Sequence, residues 1–123
     1  MNNLPNSINL LYKRRSYALK LASEIQKSLG LSWGEAQRMA WKNIKVIIAM
    51  YQDETVEFSY LKVLKKGQTT PEKRAAVGTR NLNLIPSNMQ PKESNLGLPL
   101  NELRYFDITS NGWRSYRLEN IIL

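Results

Sequence analysis

The feature that most constrains this chain is a change of hydrophobic period near Asp53, where the spacing of apolar residues shifts from about 3.6 to about 2. Neither pattern suits the other backbone, because each lays its apolar side chains on one face only in its own conformation. The chain must therefore join a helical part to a β part. In the helical part, Ser7 is positioned to cap a helix running to about Leu29, with Leu11, Ala18, Ala22, Ile25 and Leu29 on one face and Lys13, Lys20 and Lys27 on another. Gly30 supplies a left-handed stop. Ser32 and Glu35 have the spacing of a capping box, which predicts a second helix from Trp33 to about Met50. Ala36, Met39, Ala40, Ile44 and Ile47 make its apolar stripe, and Arg38, Lys42 and Lys45 lie on the opposing side. Two helices joined by so short a turn form an αα-hairpin.

After Asp53, Val56, Phe58, Tyr60 and Lys62 share one strand face and Glu57, Ser59, Leu61 and Val63 the other, with a turn at Lys65-Lys66-Gly67. Residues 73–80 suit a second strand with a bulge or close approach at Gly78, which residues 81–86 extend or end. Residues 87–100 read as an exposed loop. Tyr105 to Ile108 begin a third strand, Asn111-Gly112 signals a type I′ hairpin, and Trp113 to Leu118 pair back. The pattern predicts an α+β chain: a basic helical hairpin over residues 1–52, then a small, partly open β-barrel of four to five antiparallel strands over 53–123, packed as one compact unit.

Charge and composition narrow the function classes. The net charge is +8, and residues 1–50 hold eight Lys/Arg against two Glu (+6), whereas residues 51–123 hold ten against eight acidic residues (+2). Such a field attracts polyanions, nucleic acid first among them. Cysteine and histidine are both absent, which removes disulfides, thiolate chemistry, the usual zinc ligands and the commonest general base near neutral pH. The spacing of Asp53, Glu54, Glu57 and Asp107 does not predict two carboxylates converging on one substrate. The expectation is a protein that is not an enzyme and carries no metal or cofactor. No apolar run reaches about 18 residues, so no membrane span is expected and the chain reads as cytoplasmic.

Lys13, Arg14, Arg15, Lys20, Lys27, Arg38, Lys42 and Lys45 form the candidate phosphate-contacting set, set against the simpler reading of a solvated helix face. A helix-turn-helix would use Gly30 in its turn and Gln37 and Asn43 to read base edges, but no third supporting helix is evident. Trp113, Arg114, Tyr116 and Arg117 alternate aromatic and basic residues on one short strand; Arg114 and Arg117 are candidates for the nucleic-acid backbone, while at least one aromatic is expected in the core. Trp33 and Trp41, eight residues apart, are packing residues or a patch for a protein partner.

The segments Val56-Glu57-Phe58-Ser59-Tyr60, Ala76-Val77-Gly78-Thr79-Arg80, Ile85-Pro86, Tyr105-Phe106-Asp107-Ile108 and Gly112-Trp113-Arg114-Ser115-Tyr116 resemble the small WYL-related, Sm-like β-barrel proteins of Bacteroidetes, their mobile elements and crAss-like phages. The resemblance spans roughly residues 55–123. It implies an SH3-type barrel and an association with nucleic acid or regulation. The Trp-Tyr-Leu tripeptide that names true WYL domains is missing, so ligand sensing is not carried over. The segment from Ser32-Trp33-Gly34-Glu35-Ala36 to Ala40-Trp41-Lys42 also looks like an Ala-Trp-Lys helix of small proteins from the same organisms. Together these readings point to a nucleic-acid-associated regulatory module of a bacterial mobile element or phage, binding DNA or RNA through its basic helical face in the host cytoplasm. The alternative is a phage-encoded interaction protein that binds and inhibits a host nucleoprotein defence complex, in the manner of an anti-CRISPR.

Overall fold

In the computed structural model, which describes residues 8–52, 54–91 and 98–123, the first helix, α1, spans Leu11–Leu29. Gly30 ends it in the left-handed region (φ 66°), its N–H bonding to the Gln26 carbonyl at 2.8 Å. The expected Ser7 cap lies outside the described residues, and the N-cap position is occupied by Leu10. The buried face is Tyr17, Ala18, Leu21, Ala22 and Ile25. Two residues of the expected stripe are corrected: Leu11 is 59% exposed and Leu29 44%. They stand at the two ends of the helix, whereas Tyr17, Leu21 and Ile25 repeat every four residues along the side that faces the core.

Helix α2, Trp33–Met50, begins as its capping signal predicts, with Ser32 Oγ accepting the Glu35 N–H at 3.2 Å. All five expected stripe residues are buried, and Asn43, Val46 and Met50 join them. No helix among the described residues is long and apolar enough to cross a membrane.

Four strands follow: β1 Val56–Leu61, β2 Lys73–Thr79, β3 Glu102–Asp107 and β4 Gly112–Arg117. They form one antiparallel sheet in the order β1-β2-β3-β4, an α+β layout. The β1/β2 register runs from Val56 opposite Gly78 to Leu61 opposite Lys73, and β3/β4 from Glu102 opposite Arg117 to Asp107 opposite Gly112. Strands β2 and β3 meet only at Gly78 opposite Asp107 and Thr79 opposite Phe106. The sheet is not closed. After β4 a 3₁₀ turn at Leu118–Asn120 leads to an isolated bridge between Ile121 and Tyr60, and the Ile122 N–H donates to the Ser59 carbonyl at 3.0 Å.

The turns divide into one as expected and one corrected. Gly67 adopts φ 88° in the turn after Lys65 and Lys66. The β3–β4 connection is a loop of residues 108–111 and not a two-residue type I′ turn at Asn111-Gly112, because only Asn111 has positive φ (51°) whereas type I′ needs two such residues. Asp107 determines the outcome: its Oδ1 accepts from the Thr109 N–H (2.9 Å), the Thr109 hydroxyl (2.6 Å) and the Ser110 N–H (3.3 Å). Tyr105 to Asp107 accordingly end β3 instead of beginning it, and Ile108 lies in the loop.

Helices and sheet share one core. On the inner face of the sheet Phe58, Tyr60, Tyr105 and Tyr116 form an aromatic cluster with centroids 5.0 to 6.3 Å apart. Gly78 admits it: a Cβ there would stand 2.7 Å from Tyr105 Cδ2 and 3.1 Å from Phe58 Cε1. The hydroxyls of Tyr60 and Tyr105 pair at 2.8 Å, while Tyr116 donates to Asn43 Oδ1 at 2.7 Å. Asn43 Nδ2 donates to the carbonyls of Met39 (3.0 Å) and Leu118 (2.9 Å). Burial holds the hydroxyls of Tyr17, Tyr105 and Tyr116 above the ordinary tyrosine range, so they stay protonated donors or acceptors. On the opposite face Ile85 and Phe106 are buried outside this cluster, with Trp113 packed edge-on to Phe106 at 5.7 Å.

Asn43→Ala strands the Tyr116 hydroxyl and the Leu118 carbonyl in the core, and is expected to cost about 3 kcal/mol in urea unfolding, against less than about 0.5 kcal/mol for Gln37→Ala on the same helix.

Candidate nucleic-acid interface

The buried stripe of α2 sets what its outer side presents. With Ala36, Met39, Asn43, Ile47 and Met50 turned into the core, Arg38, Lys42 and Lys45 are carried to the opposite side at spacings of four and three. They border a shallow groove of about 590 Å³ together with Gln37, Trp41 and Leu123, and Gly34 lines its end beside the Arg38 guanidinium. The bridge of Ile121 to β1 brings Leu123 to this helix. Among the described residues, no carboxylate lies within ion-pairing distance of Arg38, Lys42 or Lys45. Like charges four residues apart cost a helix roughly 0.3 kcal/mol per pair. The only acidic residue in the first turn of α2 is Glu35, which stabilises the helix N-terminus.

The remaining candidate cations fall into other environments. Lys13 and Lys20 border a separate groove of about 650 Å³ between α1 and Leu98 and Leu100, beside Tyr17, whose hydroxyl donates to the Pro99 carbonyl at 2.5 Å. Arg14 is half-buried and its Nε donates to the Ile8 carbonyl at 2.7 Å, a contact that anchors the entry to α1. Arg15 is exposed. Lys27 is exposed and stands 3.9 Å from Glu24. On β4, Arg114 Nε donates to Ser110 Oγ (3.0 Å) and lies 3.6 Å from buried Asp107, while Arg117 pairs with Glu119. Both β4 arginines are thus engaged inside the protein.

No family model, curated protein or solved structure matches the chain. The candidate interface is therefore described by its own geometry.

That geometry separates the residues read together from the sequence. Trp41 lines the α2 groove, whereas Trp33, 39% exposed, stands apart from it near the helix start. Gln37 is at the groove, but Asn43 is withdrawn as a reader of base edges because it is fully buried and its amide group is engaged at both ends. Tyr116 belongs to the core. Trp113 is half-buried, its indole N–H donating to the Met89 carbonyl at 2.7 Å, with the guanidiniums of Arg80 and Arg104 over its ring at 5.6 and 5.1 Å. A ring so covered is a packing element and not an open stacking platform. Sequence reasoning missed Arg80 and Arg104; the signal available was that Arg104 precedes Phe106 by two residues and so shares the face of its cross-strand partner Trp113. Asp53 lies outside the described residues, and among those described no three acidic side chains are grouped to hold a metal ion.

Trp113→Ala is expected to lower stability by about 3 kcal/mol and Trp41→Ala by less than about 1 kcal/mol, measured by denaturant unfolding.

Proposed function

We propose that this chain is a non-enzymatic, nucleic-acid-associated regulatory module that holds DNA or RNA phosphates on the outer face of α2. The observation that carries the reading is the set of Arg38, Lys42 and Lys45, spaced along one helix face around Trp41 and without a carboxylate partner among the described residues. Cations left without internal partners interact with solution anions, and the phosphates of nucleic acid are the polyanion that Lys and Arg side chains most often contact. Gln37 adds one side chain able to donate and accept at the same groove. Arg15, Lys20 and Lys27 extend the positive field over α1 without belonging to the same groove. The SH3/Sm-type barrel is part of the proposal: β4 passes through a 3₁₀ turn into a segment that bridges β1, which supports such a barrel, although the sheet itself stays open. Origin in a mobile element or phage rests on the resemblance of residues 55–123.

A second reading has its own support in the exposure of Trp33 (39%) and Trp41 (36%), since exposed tryptophans beside charge suit a protein partner such as a host nucleoprotein defence complex. Capture of a partner that survives nuclease treatment distinguishes it from the first.

Fluorescence anisotropy with labelled duplex DNA, single-stranded DNA and RNA tests the leading reading. Affinity is expected to fall as salt rises, and Arg38→Gln, Lys42→Gln and Lys45→Gln together should reduce the slope of log affinity against log salt by about 2 to 3. Negligible binding at low salt, or an unchanged slope in the triple variant, would falsify it.

A further inference from the structure

The connection between β1 and β2 is ordered by its own side chains and yet exposes two neighbouring aliphatic residues. The Lys62 N–H donates to the Glu72 carbonyl at 2.7 Å, and the Lys62 ammonium pairs with the Glu72 carboxylate at 3.2 Å. Gln68 Nε2 donates to the same carboxylate at 3.0 Å, while Gln68 Oε1 accepts the Lys65 N–H at 2.8 Å. Lys62 beside Glu72 holds that carboxyl below the usual range. The single acidic residue between Lys62 and Lys73 is thus spent on shaping the loop. Val63 is left 62% exposed and Leu64 49%, next to the exposed Lys65 and Lys66, and the exposed Lys73 lies across from Leu61; none of the three lysines has an ion-pair partner among the described residues.

An exposed aliphatic pair ringed by cations is complementary to a surface that is anionic outside and apolar a few ångströms within. Duplex DNA has that character, with phosphates along the groove walls and stacked bases between them, and proteins that bend it insert a Leu or similar residue between base steps. We propose that Val63 and Leu64 form an apolar wedge that enters the minor groove of duplex DNA, with Lys65, Lys66 and Lys73 on the flanking phosphates. The proposal rests on the nucleic-acid reading of α2 and names the duplex as its target. Strand β1 connects the two regions: Ser59 pairs with Ile122 beside the α2 groove, and Val63 lies four residues on, roughly 13 Å at about 3.3 Å per residue.

The test uses the full chain and a duplex carrying a fluorescence donor and acceptor at its ends, read for bending by energy transfer and for affinity by anisotropy. The wild type is expected to bend the duplex by about 40°. Val63→Ser with Leu64→Ser should abolish the bend while weakening affinity by only about tenfold, and the α2 triple variant should weaken affinity yet still bend the duplex at saturation. An unaltered thermal melt confirms that the serine variant is folded. Binding without bending, or equal bending by the serine variant, overturns the wedge but leaves the α2 reading standing; no binding at all overturns both. Vesicles of phosphatidylserine and phosphatidylcholine supply a further arm: wild-type binding to them that the serine variant loses, with DNA unbent, assigns the tip to a lipid surface and overturns the proposal.

Discussion

The amide of Asn43 ties the helical part of the chain to the sheet. It is fully buried, accepts from Tyr116 on β4, and donates to Leu118 in the turn beyond β4 and to Met39 one turn back on its own helix. A buried amide costs free energy unless its bonds are made, and two of the three, to Tyr116 and Leu118, depend on the placement of α2 against the end of the chain. Apolar burial alone tolerates sliding and rotation of a helix on a sheet. Two directed hydrogen bonds do not. Rotating α2 by one residue, about 100°, breaks both the Tyr116 and the Leu118 bond.

The outer surface follows from that anchor. With Asn43 pointing inward, Arg38, Lys42 and Lys45 point away from the core, and Trp41 is carried to the rim of their groove. The Leu118 bond also fixes where the chain turns after β4, and hence the Ile121 bridge that brings Leu123 to α2. The same polar anchor that orders the interior therefore arranges the cationic groove. Of the other candidate cations, Arg114 is engaged by Asp107, Arg117 by Glu119 in the turn after β4, and Arg14 by the Ile8 carbonyl at the start of α1.

The helices were legible in the sequence because their signals are local. Ser32 with Glu35, Gly30, and the stripe from Ala36 to Ile47 act over one or two turns, and the structure carries each of them. Strands β1, β2 and β4 were legible in outline and the close approach at Gly78 from the glycine itself, whereas β3 starts at Glu102, ahead of the expected Tyr105. Failures came where two local signals competed or where the deciding partner is distant in sequence. Asn111-Gly112 signals a two-residue turn, but the Asp107 carboxylate captures the following N–H groups first and lengthens the loop. Asn43 reads as a surface residue because its partners Tyr116 and Leu118 lie 73 and 75 residues away. No sequence pattern separates Arg114, engaged with Asp107, from Arg38, which has no acidic partner among the described residues, and so the candidate cations could not be sorted before the fold was known.

The central claim is that one face of α2, and not the basic residues of α1 or β4, receives the polyanion. Amide chemical-shift mapping during titration with a short DNA duplex tests this most directly. The account predicts that the largest changes fall on Gln37 to Lys45 and at Leu123, with a second set at Val63 to Lys66 where the wedge meets the duplex, and with Lys13 to Lys27 and Arg114 to Arg117 little altered. Changes centred on α1 or on β4, with α2 silent, would contradict it.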